Sequence, residues 1–313
     1  MKLVPVDLGG SPKRCAVAPP TRPTPCAQTI ELLIEEKRTR FPDSRLCVAF
    51  FHGGIPTEAQ LAACTGLEKR LSTNPADLSL EACFLLQAAG VETIELEAMT
   101  LNPHTLRAAE RPYTAHRVVA MAEKLKAMGF TVGLHLVPGL PGSDVEDALD
   151  DAQIVSNAGW VDHVRIWPAL GFQGAKLADW AESGLWRPWD VRLTIDVVDR
   201  MVSVFDSAKL PVIRVGIQPG QDIPVKATAG PVHPNLRGEI ESRRFGKRLR
   251  EALDGVPPGT CVSVLVNRKD LAWAKGTSNV NARTCTALFG LKRLDIVADD
   301  LIERGTVRVR RDK

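Results

Sequence analysis

Four polar side chains interrupt short apolar runs that would hold them in place. Glu95 and Glu97 fall in TIELEA (93–98), His135 in FTVGLHLV (130–137) and Arg165 in DHVRIW (162–167). Carboxylates, an imidazole and a guanidinium brought to one cleft can move protons and bind charged ligands. Each also has a structural role open to it: a barrel-interior ion pair for Glu95 with Arg165, and a satisfied core histidine for His135. The two glutamates are assigned to opposite faces of their strand. His52, beside Gly53 and Gly54, can offer an imidazole to a ligand or metal, or stand in solvent. Seven cysteines, at 15, 26, 47, 64, 83, 261 and 285, form no C-x-x-C pair, so neither a zinc knuckle nor a disulfide framework is indicated. Most read as buried thiols. Cys15 and Cys26 stand apart in a Pro- and Arg/Lys-containing stretch.

The elements that must position these residues follow a regular alternation. LCVAFF (46–51), TIELEA, FTVGLHLV and DHVRIW are apolar β-type runs, each followed by a helical pattern, and PVIRVGI near 210 is one more strand. With KLVPV at the start and a weak strand at 71–74, this gives about six βα units before residue 170. Uniformly apolar strands with intervening helices indicate a parallel sheet covered by helices. The expected class is α/β: a partial (β/α)6 TIM-like barrel over 1–230, a basic helical connection over 231–255, and a small α+β domain over 256–313. In such barrels the ligand-facing loops follow the carboxyl ends of the strands, where LGGSPKR, HGGIPT, VPGLPG and WPALGFQG fall.

A chain of 313 residues with 44% hydrophobic content can bury a substantial core. No apolar run approaches the roughly 20 residues that span a bilayer. The start, MKLVPVDLGG, lacks the regions of a signal peptide, so the expected location is cytoplasmic, with no membrane partner. From residue 236 onward there are 17 Lys/Arg against 10 Asp/Glu, a surplus of seven; the net charge of the whole chain is +3, which leaves the rest four negative. The basic character of the last quarter reads as a solvated helix face and tail, or as a polyanion contact. No Ser–His–Asp, zinc or P-loop pattern is present.

The punctuated loops resemble the radical S-adenosylmethionine (SAM) superfamily, in the branch of the Elongator catalytic subunit and the oxygen-independent coproporphyrinogen oxidases. The resemblance rests on five segments in order: TIELEAMTLNPHTL, VGLHLVPGLPGSD, VRIWPALGFQGAKLADWAESG, PVIRVGIQPG and AGPVHP. It implies SAM as ligand, held in part by the turn at Gly53, Gly54 and Ile55 and by the loop at Pro138, Gly139 and Leu140. It also implies a [4Fe–4S] cluster on three cysteines spaced C-x3-C-x2-C after the first strand. Laid on that pattern, the three positions here are Ser11, Cys15 and Ala18. Iron–sulfur clusters are held by thiolates, which neither serine nor alanine supplies. At the second turn, Ile55 stands where the family places a carboxylate. The expectation is a protein without the cluster that binds SAM or a related nucleoside and does polar chemistry of transferase or lyase type. The alternatives are a non-catalytic RNA- or protein-binding relative, and an iron–sulfur enzyme with atypical ligands, for which Cys26 or Cys47 would have to join Cys15.

DLAWAKGTSNVNARTCTALFGLKRLDIV resembles a KH module, in which a G-x-x-G loop between two helices clamps a single-stranded backbone. The loop is assigned to residues 274–277, so both defining glycines are replaced. The resemblance marks Lys275 and Asn279 as RNA contacts, with packing or dimerisation as the other use of a degraded module.

Overall fold

The computed structural model describes residues 1–9, 23–52, 54–216 and 227–311. In chain order the first part runs β1 (Lys2–Asp7), α1 (Ala27–Arg40), β2 (Leu46–Phe51), α2 (Glu58–Ala62), β3 (Glu68–Thr73), α3 (Leu80–Ala88) and β4 (Val91–Met99). It continues with α4 (Pro103–Ala108), α5 (Ala115–Ala127), β5 (Thr131–Leu136), α6 (Val145–Ser156), β6 (His163–Ile166), β7 (Gly171–Phe172) and α7 (Lys176–Glu182). Then come α8 (Val191–Ser207), β8 (Val212–Val215) and β9 (Ala227–Ala229). Helix starts are written locally. Thr57 and Gln60 form a capping box at α2, as do Asp144 and Asp147 at α6, and Asn102 caps α4 just ahead of Pro103.

Seven strands form one sheet in the order β1-β2-β3-β4-β5-β6-β8, every neighbouring pair parallel. This is the expected α/β partial barrel, with β8 as a seventh strand beyond the six βα units. The strand expected at 71–74 begins earlier, at Glu68, because Lys69 and Arg70 belong to it. Val48, Leu71, Ile94, Leu96, Val132, Leu134, Val164 and Ile166 are sealed from solvent, as parallel strands covered on their faces require. Helix α8 adds Val198, Met201, Val202 and Phe205 along one stripe.

A second unit starts at Pro234. It contains α9 (Leu236–Leu253), β10 (Cys261–Val266), α10 (Leu271–Lys275), α11 (Val280–Leu288), β11 (Arg293–Ala298) and β12 (Arg308–Arg311). Its sheet has the order β11-β10-β12, with β10 and β11 parallel and β12 antiparallel to β10. Phe245, Leu249 and Leu253 of α9 share a core with Val262, Val264, Val266, Leu294 and Ile296. The basic helix set apart as a connection thus supplies part of this core. The turn between α10 and α11 is Gly276-Thr277-Ser278-Asn279, two residues later than the sequence assignment. Gly276, Ser278 and Asn279 all have positive φ (68°, 52° and 57°), while Ala274 and Lys275 are helical. No helix among the described residues is long and apolar enough to cross a membrane.

Candidate functional site

Strand register gathers charge inside the barrel. Glu95 on β4 is paired in register with Gly133 on β5, and Gly133 with His163 on β6. One step toward the carboxyl ends, His135 pairs with Arg165, and Arg165 with Arg214 on β8. Glu95 is 1% exposed and is bridged by Arg70 of β3; it also accepts from Arg165 Nη1 at 2.5 Å and lies 3.2 Å from His163 Nε2. The contact between β4 and β6 spans the intervening strand only because residue 133 is glycine. A Cβ there would stand 2.3 Å from His163 Nε2 and 2.6 Å from Glu95 Cγ.

The electrostatics follow from this crowding. Burial lowers the Arg70 and Arg165 guanidiniums, and burial with the charge of Arg165 brings Arg214 down to about 10. Burial and the nearby charges of Arg70 and Arg165 bring His163 down to about 4, so its imidazole is neutral at neutral pH. His135 is held well below the usual range by burial and by Arg165, Arg214 and Arg111. Arg214 lies over the Trp167 ring at 5.0 Å, and that ring meets His135 edge-on at 6.5 Å. Among the described residues, Arg165 Nε and His135 Nε2 are buried without a hydrogen-bond partner.

In the structure Glu95 and Arg165 form an ion pair, and His135 is the register partner of Arg165. Glu97 is half-buried, and its charge acts on Arg165. Its assignment to the face opposite Glu95 is corrected: residues two apart on a strand share a face, and Arg165 senses both carboxylates. Sequence reasoning missed Arg70, Arg111, His163 and Arg214. For His163 the available signal was its spacing of two from Arg165; for Arg214, its place in an apolar strand.

The rim loops are tightly built. Gly53 lies outside the described residues. Gly54 takes φ 76°, its carbonyl accepts from Thr73 Oγ1 at 2.8 Å, and Ile55 beside it is half-buried. His52, also at positive φ (69°), places Nδ1 3.0 Å from Asp7 Oδ2. After β5, Gly139 takes φ 84° against the Trp189 ring, and its carbonyl accepts from Trp186 Nε1 at 3.1 Å. The Pro138 carbonyl accepts from Ala169 N at 2.9 Å. Leu140 is buried with Met99, Val137, Leu177 and Trp186. Residues 138–140 therefore form a packed turn whose side chains serve the core.

Ser11, Cys15 and Ala18 also lie outside the described residues. Of the remaining thiols, burial pushes Cys47 and Cys64 up to about 11, where they stay protonated. Cys26 is exposed and lowered by the Thr29 hydroxyl. Cluster ligands must be thiolates. No group of three or more His, Cys, Asp or Glu among the described residues is placed to hold a metal ion.

Residues 22–154, fewer than half of the 313, match the sequence profile of the Radical SAM superfamily. The chain's relatives belong to the Elongator and coproporphyrinogen-oxidase branch. A tRNA uridine(34) acetyltransferase of Methanocaldococcus jannaschii is 29% identical over 117 residues, which is 37% of this chain and 22% of that one. The heme chaperone HemW of Buchnera aphidicola is 28% identical over 88 residues, 28% of this chain and 23% of that one. The structure of archaeal Methanocaldococcus infernus Elp3 superposes with a TM-score of 0.63 at 19% identity, covering 78% of this chain and 62% of that one. The matched parts thus span well under two thirds of these curated relatives.

Proposed function

We propose that the barrel binds S-adenosylmethionine, or a ligand with the same nucleoside, at the carboxyl ends of its strands, and uses it in polar rather than radical chemistry. The superfamily match supports SAM as the ligand. The observation that carries the polar reading is in the sequence: the C-x3-C-x2-C slot reads Ser11, Cys15 and Ala18, which leaves one thiol of three. SAM supplies an electrophilic sulfonium whose C–S bond breaks heterolytically, the electron pair leaving to sulfur. This chain's part is to orient the acceptor and take up its proton. Glu95 is engaged by three partners and acts as a positioning residue. Glu97, on the same face and outside that set, is the carboxylate left to receive a proton. Neutral His135 and the Arg165 guanidinium supply hydrogen bonds.

The test is iron and sulfide analysis of anaerobically purified, reconstituted protein, together with calorimetric titration of SAM and S-adenosylhomocysteine. The expected result is colourless protein that binds both. About four irons per chain with reductive cleavage of SAM would overturn the reading.

A second reading concerns the substrate. The turn at 276–279 joins two helices with Gly at its first position and Asn in the left-handed region at its last, a conformation Asn tolerates. Lys275 precedes it, Asn279 is exposed on it, and Arg308 and Arg310 are exposed on β12. With relatives named as tRNA-modifying enzymes, this supports an RNA substrate held by a KH-like second unit. Salt-dependent binding of a tRNA, weakened in Lys275→Ala and Asn279→Ala, is the expected result; unchanged binding would remove this reading.

A further inference from the structure

We propose that His135, Arg165 and Arg214 form a subsite for an oxyanion, a carboxylate or phosphate group carried by a second substrate bound inside the barrel. The three are in-register neighbours on β5, β6 and β8, so their side chains form one row across the sheet. The inference deepens the barrel reading above by naming the class of the co-substrate, but its evidence is independent of the nucleoside.

The charge balance is the first argument. Arg70, Arg111, Arg165 and Arg214 all act electrostatically on this region, in which Glu95 and Glu97 also stand. Glu95 is committed to Arg70, Arg165 and His163, on the row one step back from the rim. Guanidiniums in a half-buried interior repel one another more strongly than in water; burial first, and then the charge of Arg165, lowers Arg214. An anion on Arg165 weakens that repulsion.

The second argument is hydrogen bonding. Buried polar atoms are almost always paired, because an unpaired one forfeits about 1–3 kcal/mol of hydration. Two belong to residues paired in register here, Arg165 Nε and His135 Nε2. A guanidinium is a donor only, and a neutral imidazole can donate from Nε2, so the complement is an acceptor-rich group. The Arg165 side chain as a whole keeps 19% exposure, while its Nε is buried. Trp167, packed against both His135 and Arg214, supplies a flat apolar wall beside the row.

The experiment uses the full chain and thermal-shift titration at constant ionic strength, with inorganic phosphate and malonate as probes and chloride as control. Wild type should show a saturable shift with one of the two, which identifies the group as phosphate or carboxylate. Arg214→Met and His135→Phe should each weaken that response at least tenfold. Arg165→Met should abolish it; if loss of the Glu95 pairing unfolds that variant, Arg214→Met decides. No saturable shift, or equal shifts in wild type and Arg214→Met, would overturn the subsite. A parallel titration with 5′-methylthioadenosine, which carries neither carboxylate nor phosphate, separates the two proposals. An anion response without a nucleoside response keeps the subsite and removes the barrel reading; the reverse removes the subsite alone.

Discussion

Replacing Gly133 with alanine tests whether the Glu95 cluster is built as described. In most strands this change is favourable by about 0.5–1 kcal/mol, since alanine loses less backbone entropy on folding. Gly133 is not at positive φ, so no conformational penalty opposes that gain. The opposing cost is space: the new methyl would stand 2.3 Å from His163 Nε2 and 2.6 Å from Glu95 Cγ. Forcing a methyl into a filled interior costs about 1–3 kcal/mol. Driving Glu95 off its guanidinium partners would add to that, because a buried charge that loses its partner costs about 3–5 kcal/mol. The net expectation is a loss of about 2 kcal/mol, or about 4–8 °C in Tm for a unit of this size. Urea unfolding followed by tryptophan fluorescence reads the barrel, since five of the six tryptophans precede residue 190. Gly159→Ala is the control, because a Cβ there meets nothing within 4 Å, and it should be neutral or slightly stabilising. Adding His163→Ala to Gly133→Ala removes the shorter contact, so the double variant should lose less than the sum of the single losses. A Gly133→Ala protein as stable as wild type, or strictly additive losses, would refute the cross-strand packing.

Three further outcomes follow from individual side chains. Asp151 is buried with its carboxylate accepting from Leu101 N at 2.8 Å, and burial raises it from its ordinary value near 3.8 to about 6. A carboxyl raised on folding contributes stability that is present below the unfolded pKa and lost as pH rises through the folded one. The stability of wild type relative to Asp151→Asn should therefore fall by about 3 kcal/mol between roughly pH 4 and pH 6 in paired urea titrations; no change over that window would refute the burial argument. In native alkylation followed by peptide mapping, exposed Cys26 should react well ahead of Cys47 and Cys64, whose burial keeps them as thiols. In the second unit, Asn281 Nδ2 donates to the carbonyls of Ser242 and Ala274, tying α9 to α10, so Asn281→Ala should cost about 1–3 kcal/mol by differential scanning calorimetry.

The barrel was legible because its strands are apolar throughout, and a run such as FTVGLHLV has few other uses between two helical patterns. The same signal hid half of the site. Arg70 sits in EKRLST, which reads as the tail of a helix because charge is expected outside, yet its guanidinium belongs inside on Glu95. A charged residue is admitted to a sheet interior only when a partner on another strand compensates it, and that partner lies 25 positions along the chain. Periodicity is local and cannot supply such a pairing; parallel register can. With β3, β4, β5 and β6 in register, Arg70, Glu95, Gly133, His163 and Arg165 explain one another: the glycine makes room, the carboxylate draws two cations, and the histidine stays neutral between them. His135 was legible by its place on an apolar strand of the barrel, near its mouth. The structure adds that its Nε2 is buried and unpaired, as is the Nε of Arg165, its register partner on β6, and a fully paired network has no need to leave two such atoms.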